Sequence, residues 1–203
     1  MNNKALYNIE YGLYLLISNH NGIDNACIIN TCMQITSNPL TLSIFVNKLN
    51  YTNEIIKKSK KFNISILNED IKFDLFKIFG YQSGKNINKF KIFDEIQNFE
   101  RSKNGIFFLK NFSNSFLECS VLEIKDVFTH TMFIAKIDNA EILNNKKTLT
   151  YNFYQKNIKP LPEKTNKKGY RCKICGYVYE GENIPDDFIC PICKHGKIDF
   201  EKI

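Results

Sequence analysis

The chain has 203 residues, 43% of them hydrophobic, with a formal net charge of +7; that length suits one domain of ordinary size plus a small one, with ample apolar matter for a buried core. The apolar stretch 11–17 is far shorter than the roughly 20 residues a membrane helix needs and has no small-residue cleavage site behind it, so neither a membrane protein nor an exported one is expected. Nine glycines assemble no Gly-x-Gly-x-x-Gly turn, which excludes a resident nicotinamide-binding domain.

Residues 11–18 read as a strand, and the turn signal at 20–25 leads into a second strand at 26–31. Residues 33–37, the Asn38-Pro39 turn and residues 40–46 read as another pair of strands. A helix is expected over 52–61, with Asn50 and Thr52 as good caps, then a strand at 62–67. The spacing of Ile71, Leu75, Phe76, Ile78 and Phe79 predicts a helix over 70–79 that stops at Gly80, followed by a loop at 81–86. Three more strands are expected at 105–109, 116–127 and 130–143, as in a closed or half-closed antiparallel barrel. Residues 155–169 contain Pro160, Pro162 and five lysines and read as a linker.

The tail carries the most specific chemistry. Cys172-Lys173-Ile174-Cys175 and Cys190-Pro191-Ile192-Cys193 are two tight pairs separated by an excursion that folds back, the spacing of a closed tetrahedral thiolate site. Such a site selects iron or zinc, and with no open position it either staples the fold or carries an electron. Tyr170, Gly176, Tyr177, Tyr179, Ile184, Pro185, Phe188, Ile189, Pro191, Ile192 and Phe200 are expected to shield it as an apolar and aromatic shell. The module is below the size at which apolar burial usually beats chain entropy, so the metal is expected to contribute folding energy. Cys27, Cys32 and Cys119 remain over; an odd remainder beside a thiolate site points to reducing surroundings, hence the cytoplasm. No partner base or cation marks those three as nucleophiles, so they read as small apolar residues.

The charge is unevenly placed. Five basic and six acidic residues lie from Tyr170 onward, so the positive excess belongs to the rest of the chain and the tail is a face for a basic partner. Lys57, Lys58, Lys60 and Lys61 fit one solvated helix face, and no reading motif accompanies them, so no nucleic-acid partner is expected.

Two resemblances rest on these residues. The run from Tyr170 to Gly181, with Ile-Pro-Asp-Asp-Phe-Ile-Cys-Pro-Ile-Cys after it, resembles rubredoxin, a one-iron electron carrier, with a shortened middle and Phe188 where Trp is usual. The same spacing also permits a structural zinc ribbon. Residues 30–39, 46–52, 79–90 and 129–134 resemble, in order, the flavin reductase family, which has an FMN-binding split barrel and normally dimerises. Together they imply a mainly β chain: an FMN-binding split β-barrel of Greek-key type with a few helices over 1–154, a linker over 155–169 and a small rubredoxin-like metal-knuckle domain over 170–203.

The resemblance implies that Asn30, Thr31 and Gln34 line the flavin ring, that Asn47, Lys48, Asn50 and Thr52 face its phosphate or ribityl end, and that Ser83, Gly84 and Lys89 close over it. His130 resembles a family His near the flavin that donates a hydrogen bond or a proton. The implied cofactors are FMN and one iron ion held by Cys172, Cys175, Cys190 and Cys193, with NADH or NADPH as a transient donor. The implied acceptor is a flavo-diiron protein that reduces dioxygen or nitric oxide in an anaerobe. An electron carrier of flavoredoxin type and a free-flavin or ferric reductase with an accessory tail stand beside this reading.

Overall fold

A computed structural model describes residues 5, 8–93, 95–160, 168–192 and 196–203; Cys193 and the central part of the expected linker, 161–167, lie outside them. The chain runs β1 (Tyr14–His20), β2 (Ile23–Ile29), β3 (Cys32–Ser37), β4 (Leu40–Asn47), α1 (Tyr51–Ser59) and β5 (Lys61–Leu67). A short helix α2 (Phe73–Leu75) widens into one π-type turn over Phe76–Gly80, and α3 (Lys89–Ile92) follows. Then come β6 (Phe99–Arg101), β7 (Phe107–Leu109), the long hairpin β8 (Ser113–Val127) and β9 (His130–Ile142), and α4 (Tyr151–Phe153), whose helical path continues over Tyr154–Ile158. The tail adds β10 (Tyr170–Cys172), β11 (Val178–Tyr179) and β12 (Phe200–Lys202).

Seven strands form one antiparallel sheet in the order β2-β1-β5-β8-β9-β4-β3. Its two edge strands, β2 and β3, are consecutive in sequence and joined only by Asn30 and Thr31. So short a bridge forces the sheet to curl, which makes a split barrel whose edge strands, β2 and β3, stay unpaired with each other.

Alternation along β1 shows how the barrel is filled. Leu15 and Ile17 enter one core with Ala26, Leu75, Phe79, Phe90 and Phe99, while Leu16 enters a second with Cys27, Ile44, Phe62, Ile64 and Phe133. Both faces of β1 are therefore covered, the reason its sequence is a continuous apolar run rather than an alternating one. Asn50 caps α1 by accepting from the Thr52 amide at 3.0 Å, and Ile55 and Ile56 bury the helix's inner face.

The structure departs most from the expected elements in three places, and α1 also ends at Ser59, so Lys60 and Lys61 fall outside the expected solvated helix face. The helix expected over 70–79 begins at Phe73, since Asn68 Oδ1 and its carbonyl hold Asp70 and Ile71 in a turn first. Residues 86–104 carried no expected element, yet Phe90, Phe93 and Phe99 fold α3 and β6 onto Phe79 with ring centroids 5.1–5.9 Å apart. The linker does not begin at Gln155: Thr150 caps α4, Tyr154 packs on Phe76 at 4.3 Å, and the helical path ends only before Pro160. Among the described residues no helix is long and apolar enough to cross a membrane.

Phe133 is fully buried whereas Ile23 is half exposed. Phe133→Ala should cost roughly 3–5 kcal/mol in urea unfolding, and Ile23→Ala should stay within about 0.5 kcal/mol.

Candidate functional site

Beside the β2–β3 bridge, between the ends of β2 and β4 and the β8–β9 turn, a cavity of about 430 Å³ opens. Its walls are apolar slabs from Leu13, Ile28, Ile29, Phe45, Val46 and Phe76, with Asn30, Thr31, Asn47, Asn50, Thr129 and His130 converging on it. A mainly apolar slot with a few placed amides and hydroxyls is what a flat heteroaromatic ligand requires, and the volume admits one such molecule. The donor set fits a flavin. Thr31 is held in place by donating its hydroxyl to the Phe45 carbonyl at 2.7 Å. Asn47 spends its carbonyl oxygen on the Leu49 amide at 2.9 Å, so its NH2 is what it offers. The Thr129 hydroxyl meets Nδ1 of His130 at 2.9 Å and fixes the imidazole on the cavity wall.

Of the residues the resemblance implied, Asn30, Thr31, Asn47, Asn50 and His130 share this cavity. Ser83 lines a neighbouring space of about 70 Å³ with Asn47, Asn50, Leu49, Tyr51 and Gln82. The others go elsewhere. Gln34 is exposed on β3, with its amide 3.4 Å from the Thr36 carbonyl. Lys48 pairs with Asp126 at 3.3 Å; this ammonium first, and the Thr131 hydroxyl next, hold the Asp126 carboxyl below the usual carboxylate range. Thr52 is wholly buried and accepts from the Asn25 amide at 2.9 Å, which makes it part of the α1 packing instead of a phosphate contact. Gly84 presses on that same Asn25, where a Cβ would come within 2.0 Å of Oδ1.

The expectation that Lys89 closes over the cofactor is corrected. Its ammonium is buried and donates to the carbonyls of Ala26 at 2.9 Å and Phe79 at 3.2 Å, tying α3 to β2. Burial lowers this amine to about 8, the nearby Cys27 thiol opposing the shift. Cys27, Cys32 and Cys119 all have thiols pushed up chiefly by burial, Cys32 to about 12, which keeps them protonated and inert near neutrality.

The sequence reading did not reach the aromatic side of the cavity. Tyr81 and Tyr154 hydroxyls meet at 2.7 Å, and Tyr151 and Gln155 lie beside them. Burial first, then the bond to Tyr81, raises the Tyr154 phenol well above its ordinary value, so the proton stays on. Tyr151 and Tyr154 come from a stretch with no motif; only its length of aromatic sequence before the prolines hinted at packing.

In the tail, Sγ of Cys172, Cys175 and Cys190 lie within 4.8 Å of one another, with Cys175 and Cys190 sulfurs 3.5 Å apart. Thiolates about 2.3 Å from one metal ion have edges near 3.8 Å, so three described thiols already make most of a tetrahedral cage. Cys193, the fourth expected ligand, lies outside the described residues. The first knuckle is shaped by Gly176, at φ +80°, whose amide donates to Cys172 O at 2.9 Å, and by Cys172 N donating to Tyr177 O at 2.8 Å. Phe188 packs against Tyr179 at 4.8 Å and Phe200 at 5.4 Å, and Ile184 is buried. The expected shell is thus smaller than its sequence list, because Pro185, Ile189, Pro191 and Ile192 are exposed.

The two sites adjoin. Ile174 and Gly196 of the knuckles line the 430 Å³ cavity, and Ile192 lines its neighbour.

A split barrel with a flavin-sized slot beside its β2–β3 bridge, touching a thiolate cage, defines a redox protein. The chain belongs to the flavin reductase like domain family, whose profile matches residues 6–162, and a rubrerythrin, rubredoxin-like domain matches residues 170–201. It is 31% identical to the High molecular weight rubredoxin of Moorella thermoacetica over the whole of both chains. It is 32% identical to the Ferric-chelate reductase (NAD(P)H) of Archaeoglobus fulgidus over 76% of this chain and 89% of the relative. Flavoredoxin from Methanosarcina acetivorans superposes with a TM-score of 0.58 at 23% identity, over 66% of this chain and 69% of the other, a likeness of fold. The protein is an oxidoreductase, with a flavin reductase-like part fused to a rubredoxin-like part.

Two outcomes test the site. Between about pH 8 and the ordinary lysine value of 10.5 the unfolded chain binds more protons at position 89 than the folded one, so stability should rise with pH through that window, on the order of 2–3 kcal/mol. Lys89→Met should flatten that rise in urea titrations at its two ends. Separately, Cys190→Ser should abolish stable metal loading, read by metal analysis after desalting, while flavin retention by the barrel persists.

Proposed function

We propose that this protein is an NAD(P)H-dependent electron-transfer oxidoreductase that takes electrons in pairs from a nicotinamide and passes them singly, through its thiolate iron, to a protein acceptor. The single observation that carries this reading is the shared wall: one cavity is lined both by the barrel's amides and by residues of the metal knuckle. FMN bound there supplies the exchange between hydride and single-electron chemistry, which a lone iron ion with four thiolates does not offer.

The chain's own residues prepare that exchange. Asn30, Thr31, Asn47 and Asn50 converge on the cavity and would hold the polar groups of a bound flavin. Ile28, Ile29, Phe45 and Phe76 exclude water from its faces, which strengthens each polar contact. His130, oriented by Thr129, presents its imidazole to the cavity as a hydrogen-bonding group. In the tail, Cys172, Cys175, Cys190 and Cys193 hold the iron, and the Tyr179, Phe188 and Phe200 rings keep one side of it dry. The division of labour follows the barrel with its helical path to Ile158, a linker after it, and the metal module over 170–203.

The acceptor proposed is a flavo-diiron protein in an anaerobe, acting against dioxygen or nitric oxide, and the compartment proposed is the reducing cytoplasm. A homodimer through the barrel is supported by the exposed apolar residues Met33, Ile35 and Leu40 along β3 and the start of β4. A second reading is favoured by the likeness to the ferric-chelate reductase: reduction of free flavin or ferric chelate at the barrel alone.

The visible spectrum of purified protein, before and after anaerobic NADH or NADPH, decides between them. Oxidised flavin and ferric-thiolate bands that both bleach support the proposal. A flavin left unbleached by either nicotinamide points to a carrier loaded by another protein, and a colourless tail points to zinc. In Cys190→Ser, chelate reduction that persists undiminished while protein-acceptor reduction is lost assigns the two activities to the two parts.

A further inference from the structure

We propose that the C-terminal metal module is a gate on the cavity: it sits over the mouth in the structure described above, and it must leave that seat for a nicotinamide donor to enter. This rests on the proposed function and concerns how its two halves share one opening.

The seat is built from the knuckles themselves. Ile174 lies between Cys172 and Cys175 and lines the large cavity together with Gly196, beside Tyr81, Thr129 and His130 of the barrel. Ile192 lies between Cys190 and Cys193 and lines the smaller cavity opposite Leu49 and Tyr51. Lys159, one residue beyond the barrel's last helical turn, donates from Nζ to the Lys173 carbonyl at 2.9 Å, holding the first knuckle down. Two apolar side chains, a glycine and an exposed hydrogen bond make a small contact of the kind that transient redox encounters use, not a permanent interface.

Space makes the seat exclusive. The 430 Å³ slot admits one flavin-sized ligand. A hydride donor needs a reacting distance of about 3–3.5 Å to that ligand, and Ile174 and Gly196 line the same cavity. Donor and metal module therefore occupy the mouth in turn. Cys172 and Cys190 are almost wholly buried, whereas Cys175, directly after Ile174, is partly exposed, so the seated module keeps one sulfur edge open beside the cavity. Release thus opens the cavity to the donor. The chain length permits it: eleven residues separate Ile158 from Tyr170, a span of up to roughly 36 Å when extended.

The test uses the full iron-loaded chain and two substitutions that place charge in the seat from opposite sides, Ile174→Asp on the knuckle and Leu49→Asp on the barrel. Leu49 is about half exposed and touches no cysteine pair, so Leu49→Asp remains a valid test if Ile174→Asp disturbs iron loading. Hydrogen exchange of the rim amides at Gly80, Tyr81, Thr129 and His130 should speed up in the variants, and FMN should dissociate faster. Flavin bleaching by NADH should accelerate by up to roughly tenfold, the factor expected when an open state populated at about one part in ten becomes dominant. Rim exchange and FMN release unchanged in an iron-loaded variant overturn the gate, as does bleaching that stays equal or slows. A protein that binds no FMN, or whose flavin no nicotinamide bleaches, overturns the proposed function instead, and rim exchange still reads the seat.

Discussion

The two-residue bridge from β2 to β3 is the constraint on which the rest of the structure depends. Because Asn30 and Thr31 alone connect the two edge strands, the seven-stranded sheet must curl, and the cavity opens beside this bridge, between the end of β2, the end of β4 and the β8–β9 turn. The bridge residues lie on its wall by construction. Thr31 is pinned to β4 twice, accepting the Phe45 amide at its carbonyl at 3.2 Å and donating its hydroxyl to the Phe45 carbonyl. Whatever the slot holds is therefore addressed by groups whose position the fold cannot easily relax.

The barrel and the tail reach order by different physics. The barrel fills two cores from alternate faces of the same strands, and its buried lysine and threonine serve packing: Lys89 ties α3 to two carbonyls, and Thr52 seats α1 on Asn25. The tail has Ile184 and a few rings as its apolar content, and its geometry converges on sulfur. A pocket made by packing persists without its ligand, whereas a thiolate cage draws folding energy from the ion it holds.

Charge and contact area set the relation between the two parts. The positive excess lies before Tyr170 while acidic residues slightly outnumber basic ones after it, and a ferric tetrathiolate adds one more negative charge. Long-range attraction of this kind favours return of the tail to the barrel, and a small contact favours release. The tyrosines on the cavity's far side, Tyr81 and Tyr154, give the module a firm rim to meet.

By itself the sequence determined what depends on neighbours along the chain. The first cysteine pair, the strands and the Asn50 cap are local chemistry, and the tertiary structure contains each of them. Asn30, Thr31, Asn47, Asn50 and His130 were reachable because they sit in runs that resemble a family, and the cavity collects them. Lys89, Thr52 and Lys48 were not separable from them by sequence. Whether a lysine caps a ligand, spans two carbonyls or pairs with Asp126 depends on elements far away in the chain. Only the tertiary structure decided that Gln155 belongs to the cavity and not to a linker, and that Ile192, expected in the metal's shell, lines a space against the barrel. Burial and adjacency across some hundred residues are products of how the sheet curls, and no local pattern encodes them.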